Sequence, residues 1–267
     1  MSQMALTLAL MPEGLDWGGI LLLLLAAFAA GWVDAVVGGG GLIQLPALLL
    51  VPGIAPVQAL ATNKLASVFG TAASSVSYYR SVRPSLKTAL PMAGIALVSA
   101  VGGASLAAFL PAEVFTPIIM IALVVVALIT IFKPALGAVT KLKYSGAKHV
   151  LLAGLAGAAI GFYDGLIGPG TGTFLVIALV ALLGYDFLMA SAQAKIVNFA
   201  TNLGALLLFI PLGAVLWPLG LLMAAANVAG SVLGSKMAIA RGARFVRILF
   251  LIIVAALVVK LGLDLWG

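Results

Sequence analysis

Residues 31–46 read GWVDAVVGGGGLIQLP, with Gly38, Gly39, Gly40 and Gly41 in succession inside a run of Ala, Val, Leu and Ile. Each glycine in a helix interior costs about 1 kcal/mol relative to alanine, so four together end a helix. Asp34 stands one helical turn before the break. A broken backbone and a carboxylate thus share one place in a strongly apolar chain.

The surrounding composition says what kind of chain this is. Of 267 residues, 64% are hydrophobic and 8% charged, and the mean hydropathy is +1.28. That apolar surface suits a polytopic membrane protein, with length for about eight to ten passes. With no cysteine, disulfides, thiolate metal sites and cysteine nucleophiles are excluded. The net charge of +7 lies mostly in short loops between apolar segments, as in the cytoplasmic loops of a membrane protein, and does not point to nucleic acid. The first residues lack the positive start of a signal peptide and carry Glu13 and Asp16, which suggests a short extension at the non-cytoplasmic interface.

The stretch has a partner. Residues 31–40, GWVDAVVGGG, align with residues 161–170, GFYDGLIGPG, at an offset of 130. At nearly the same offset Asn63-Lys64 falls on Ala194-Lys195. Two repeats, 1–133 and 149–267, are therefore expected, joined by a basic linker over 134–148. Arg80, Arg83 and Lys87 assign the loop 80–87 to the cytoplasm, while its counterpart at 211–216 is uncharged. Arg241, Arg244 and Arg247 mark a cytoplasmic loop at 241–247, whereas 111–113 carries only Glu113. The segment 133–148, with Lys133, Lys141, Lys143 and Lys148, is likewise cytoplasmic. Corresponding loops fall on opposite sides, so the repeat is expected to be inverted.

This topology requires segments 18–50 and 149–183 each to begin and end on one side. A continuous helix of about 33 residues would be roughly 50 Å long, against a hydrocarbon core of about 30 Å. The expected fold is all-α, each half a broken helical hairpin followed by three transmembrane helices. Non-helical backbone at that depth is tolerated only when buried or lining a cavity.

Four ionisable side chains lie inside the apolar segments: Asp34, Lys64, Asp164 and Lys195. Intramembrane charges are expensive and mark functional sites by default. The half-helices that begin near Leu42 and Gly172 present N–H groups and positive dipole ends, which suit an anion. The candidate substrate site comprises Lys64, Lys195, Asn63, Gly39, Gly40, Gly41, Gly170, Thr171, Gly172, Thr173, Gln193 and Asn198. Gln44, Thr62, Ser67 and Asn202 add polarity nearby. The hydroxyls of GPGTGT should make the pocket asymmetric. Asp34 and Asp164 have two readings, proton coupling or structural pairing with a lysine or loop N–H groups. The lysines, a few residues inside their helices, could instead snorkel to the interface. His149 and the three arginines read as interfacial, and Trp32, Trp217 and Trp266 as packing or belt residues.

Together GWVDAVVGGGGLIQLP, ATNKLASVFGTAAS, GFYDGLIGPGTGTF and ASAQAKIVNFATN resemble the sulfite exporter TauE/SafE family, over nearly the whole chain. The resemblance implies a multi-pass protein of the bacterial inner membrane that exports sulfite or organosulfonates such as sulfoacetate. It directs attention to Asp34 with Gly38–Gly41, Asn63 with Lys64, Asp164 with Gly168–Gly172, and Lys195 with Asn198. One departure is Ala194 opposite Asn63. The expected partners are the small anion and the lipid bilayer. No cofactor, metal or nucleic acid is implied. A channel-like facilitator and a proton-coupled importer share this architecture. An enzyme finds no support, since there is no GxSxG, HExxH or GxxxxGK[ST].

Overall fold

A computed structural model of the protein describes residues 12, 15–109, 111 and 139–266, with side chains as far as Leu249 and that of Ile252. The third span expected of the first half, with Glu113 and Lys133, lies outside these residues, as does Glu13. The described residues are helical, with no strand among them.

Helix α1, Trp17–Val37, starts at Asp16, whose Oδ1 accepts from Gly19 N at 2.7 Å, and runs into the glycines. The half-helix α2, Gly41–Leu49, resumes immediately. Helices α3, Pro56–Val82, and α4, Leu86–Ala107, follow. The second half repeats the order: α5, Gly146–Leu166; the half-helix α6, Thr171–Ile177, prolonged over Ala178–Leu183 as a π-helix; α7, Phe187–Phe209; and α8, Trp217–Trp266, kinked at Gly242. The half-helices begin at Gly41 and Thr171, one residue before the expected starts.

Both breaks come from backbone that only glycine adopts readily. Gly38 has φ +88° and returns its N–H to Asp34 O at 2.8 Å, the left-handed cap that stops α1. In the second half Gly168 and Gly170 have φ +91° and +80°.

Among the described residues four helices are long and apolar enough to cross a membrane: Trp17–Val37, Leu86–Ala107, Gly146–Leu166 and Trp217–Leu249. At 1.5 Å per residue, α3 and α7 extend about 40 Å and 35 Å. Their polar residues are turned inward, with Thr62, Asn63, Lys64, Gln193, Lys195 and Asn198 all buried. Outside, Leu21, Leu22, Leu25, Leu90, Val98, Leu151, Leu155 and Leu207 are exposed. Such a polar interior and apolar exterior suit lipid as the solvent.

The packing repeats as the sequence does. Helix α8 lies along α1 and α3, and α4 lies correspondingly along α5 and α7, with α3 against α7 at the centre. Each half therefore contributes its last described helix to the other, and the halves interlock. Small residues allow the close approach at these crossings. A Cβ on Gly31 would stand 2.1 Å from Asn227 O, on Gly230 2.0 Å from Phe28 O, and on Gly165 1.9 Å from Ala100 O.

Residues 139–145 pack against the turn after the π-helix. Lys141 N donates to Gly184 O at 2.7 Å, Lys143 N to Leu183 O at 3.0 Å, and Asp186 N to Thr140 Oγ1 at 2.9 Å. These two connections therefore pack against each other. His149, expected at the interface, packs against protein beside the linker. It is buried, with Nε2 3.2 Å from Thr88 Oγ1 and 3.1 Å from Tyr185 Oη.

The α4–α5 crossing can be tested within one helix pair. Gly165→Ala should cost about 1–3 kcal/mol by overpacking, whereas Gly94→Ala, with nothing within 4 Å of its Cβ, should be neutral or slightly stabilising. Melting of the two variants in detergent reads the difference, and equal melting temperatures would show that Gly165 is not a close contact.

Candidate functional site

The breaks meet. A Cβ on Gly38 would lie 2.1 Å from Gly172 C, and one on Gly41 3.2 Å from Pro169 Cα. Backbone therefore touches backbone where the helices are interrupted, and a side chain at Gly38 or Gly172 would force them apart. Thr173 N donates to Gly38 O at 3.0 Å, which joins the two breaks directly.

The four intramembrane charges form two crossed pairs. Lys64 Nζ of the first half lies 2.7 Å from Asp164 Oδ1 of the second, and Lys195 Nζ of the second lies 2.8 Å from Asp34 Oδ2 of the first. Neither lysine snorkels: Lys64 is 1% exposed and Lys195 0%. Each aspartate is thus paired with a lysine of the other half, and the formal charges of the four groups cancel.

The carbonyls orphaned at the end of α1 are satisfied in trans. Asp34 O accepts from Lys195 Nζ as well as from Gly38 N. Ala35 O accepts from Tyr78 Oη at 2.8 Å, Val36 O from Ser191 Oγ at 3.2 Å, and Val37 O from Thr173 Oγ1 at 3.2 Å. A helix end left unpaired in the membrane would cost several kcal/mol per group. Helices α3, α6 and α7 supply what α1 lacks.

The second break is capped from within. Tyr163 O accepts from Ile167 N and Gly168 N, and Tyr163 Oη donates to Pro169 O at 2.6 Å. Thr171 Oγ1 lies within hydrogen-bond distance of both Asp164 Oδ1 and Gly168 O. The Thr171 hydroxyl of GPGTGT thus serves the second break. The single hydroxyl proton of Thr171, like that of Thr173, is committed to an acceptor of the protein.

A small cavity opens at this junction. It is lined by Asp34, Gly38, Gly41, Asn63, Lys64, Ser67, Asp164, Gly168, Gly170, Thr171, Gly172, Asn198 and Asn202. About 20 Å³ of it admits the centre of a water-sized sphere, which is room for about one water molecule. Of the residues singled out from the sequence, Lys64, Asn63, Gly41, Gly170, Thr171, Gly172, Asn198, Asp34 and Asp164 line it. Gly39, Gly40, Thr173, Gln193 and Lys195 do not; Lys195 reaches the cavity only through Asp34. Gln193 is fully buried on α7, and both its side-chain polar atoms lack a partner.

Sequence reasoning missed Tyr78 and Ser191, whose roles follow only from the approach of α3 and α7 to the end of α1. It also missed Asn227. That residue donates to Gln44 Oε1 at 2.8 Å, and Gln44 Nε2 in turn approaches Asn63 O at 3.4 Å. An asparagine in an otherwise apolar span was the available signal.

The model of the family described as sulfite exporter TauE/SafE matches residues 23–261. A probable membrane transporter protein, ORF9, of Sinorhizobium sp is 41% identical over 91% of this chain and 92% of its own length. The probable membrane transporter protein YfcA of Escherichia coli K12 is 34% identical, covering 92% and 90%. A probable membrane transporter protein of Haemophilus influenzae is 32% identical, covering 95% and 98%. No solved structure matches.

The crossed pairs can be tested by a double-mutant cycle. Lys64→Met alone should lower stability by about 3–5 kcal/mol, because it strands a buried carboxylate. Lys64→Met together with Asp164→Leu should lose much less than the sum of the single changes, read by thermal melting in detergent. Additive losses would show that the two groups are not coupled.

Proposed function

We propose that this chain, which belongs to the sulfite exporter TauE/SafE family and is a bacterial membrane transporter, moves a small sulfur-containing oxyanion such as sulfite or an organosulfonate out of the cytoplasm. The observation that carries the proposal is the junction itself. Two helix breaks, two lysines and two aspartates converge on one small polar cavity inside a bundle whose outer surface is apolar.

In this reading the anion binds where the half-helices begin. Lys64 supplies the positive charge, because an ammonium has three N–H donors and Asp164 Oδ1 takes one. The N–H groups at the starts of α2 and α6, with their positive dipole ends, supply the rest. Lys195 acts through Asp34, which it holds against the cavity. Buried ion pairs are weak stabilisers relative to apolar packing, which favours a binding role for charges kept at this depth.

The cavity holds about one water, so a sulfite ion requires the walls to separate. The two repeats, 1–133 and 149–267 with the linker 134–148 between them, are proposed as inverted halves that rock about the junction and open it to either side in turn. An inside-negative potential of 100 mV favours exit by roughly 2.3 kcal/mol per negative charge. Export then needs no nucleotide.

Purified protein in liposomes loaded with sulfite should release it at a rate that saturates with internal concentration. External sulfite should accelerate the release of labelled internal sulfite. Efflux should also rise with an inside-negative potential. Release that neither saturates nor responds to external sulfite would replace the carrier by a pore, and strong uptake driven by an imposed pH gradient would replace export by import.

A further inference from the structure

Each half of the chain turns a corner after its lysine-bearing helix, and the two corners share a backbone conformation. Arg83 closes α3 with φ +53°, and Gly213, 130 residues later, follows α7 with φ +66°. That left-handed conformation suits glycine and is disfavoured for a residue with a Cβ. Glycine stands at one corner and an arginine at the other, the one non-glycine with positive φ among the described residues. The backbone does not call for that side chain. Such conformations cluster at functional positions.

The surface around Arg83 combines charge with apolar walls. Tyr79, Arg80, Arg83, Pro84 and Leu86 line a groove of about 540 Å³. Helix α3 packs on α7 and α8, and α4 on α5 and α7, so the two helices diverge from the corner and leave the groove open. Among the described residues no carboxylate pairs with Arg80, Arg83 or Lys87. Asp34 and Asp164 are held by lysines at the junction, Asp186 by Thr140, and Asp16 by Gly19 N. Toward the middle of the span both helices turn apolar residues outward, with Val76 and Leu90 exposed and Tyr79 half-exposed. The groove thus joins a cationic rim to a lipid-facing surface.

We propose that this groove holds the phosphodiester headgroup of an anionic phospholipid, with Arg80 and Arg83 on the phosphate and the acyl chains along Val76 and Leu90. Guanidinium groups present paired N–H donors that match phosphate oxygens. An interfacial tyrosine such as Tyr79 keeps its ring in the apolar layer and its hydroxyl among the headgroups. Basic pockets between helices on the cytoplasmic side recognise such headgroups, and the charge of loop 80–87 assigns it to that side. A free oxyanion would meet the same arginines but gain nothing from the apolar walls. The corner at Gly213 has no charge over 211–216, so the lipid site belongs to the first half alone. It shares no lining residue with the junction and does not rest on the transport reading.

Native mass spectrometry of the full chain in detergent, titrated with dioleoylphosphatidylglycerol or dioleoylphosphatidylcholine, tests the site. The first phosphatidylglycerol should bind about tenfold more tightly than the first phosphatidylcholine. Arg83→Gly, which suits the left-handed corner, should keep its melting temperature and lose most of that preference. Adding Arg80→Gln should abolish it. Arg241→Gln with Arg244→Gln removes the same charge from another basic loop and should leave the affinity unchanged. Equal binding of the two lipids by the unaltered protein overturns the proposal. Equal losses from the two arginine pairs also overturn it, by showing a general attraction of charge. Displacement of the bound lipid by millimolar inorganic phosphate would make the groove a free-anion site instead.

Discussion

The crossed exchange of charge is the constraint on which the rest depends. Lys64 pairs with Asp164 and Lys195 with Asp34, each across the boundary between the sequence halves. A lone ammonium or carboxylate inside an apolar bundle costs several kcal/mol. Neither half can therefore bury its own lysine and aspartate comfortably unless the other half is present. The same exchange holds α3 and α7 against the ends of α1 and α5, where the helices break.

Interlocking follows from this arrangement. The first break depends on outside donors, since Tyr78, Ser191, Thr173 and Lys195 cap the last carbonyls of α1. The second break supplies its own caps through Tyr163 and Thr171. Two segments of similar sequence thus satisfy the same need in different ways. The second is a self-contained turn, while the first is built by its surroundings. Any motion that separates the halves disturbs the first break more than the second.

Much of this was legible in the chain. The composition assigned the solvent, and the doubled Asp–x3–Gly–x–Gly pattern located both breaks to within a residue. The four charges stood out because so few others lie in apolar segments. Less legible was the use of each polar group. Thr171 and Thr173 read as site residues, and in the structure their hydroxyl protons are held by protein acceptors. Gln193 read as a site residue from its place beside Lys195, but it does not line the cavity. His149 read as interfacial from its position at a segment edge, which did not show that it is buried against Thr88 and Tyr185.

What the sequence determined by itself is what local rules decide. Helix breaks follow from glycine, membrane residence from hydropathy, and the position of costly charges from their scarcity, none of which needs knowledge of a neighbour. Only the tertiary structure decided which lysine meets which aspartate, which carbonyls the breaks leave to be capped, and which side-chain atoms remain free at the junction. Those are properties of distance between segments some 100 to 160 residues apart in the chain. A hydrogen bond or ion pair depends on a fraction of an ångström, and the spacing of residues along a sequence carries no such distance.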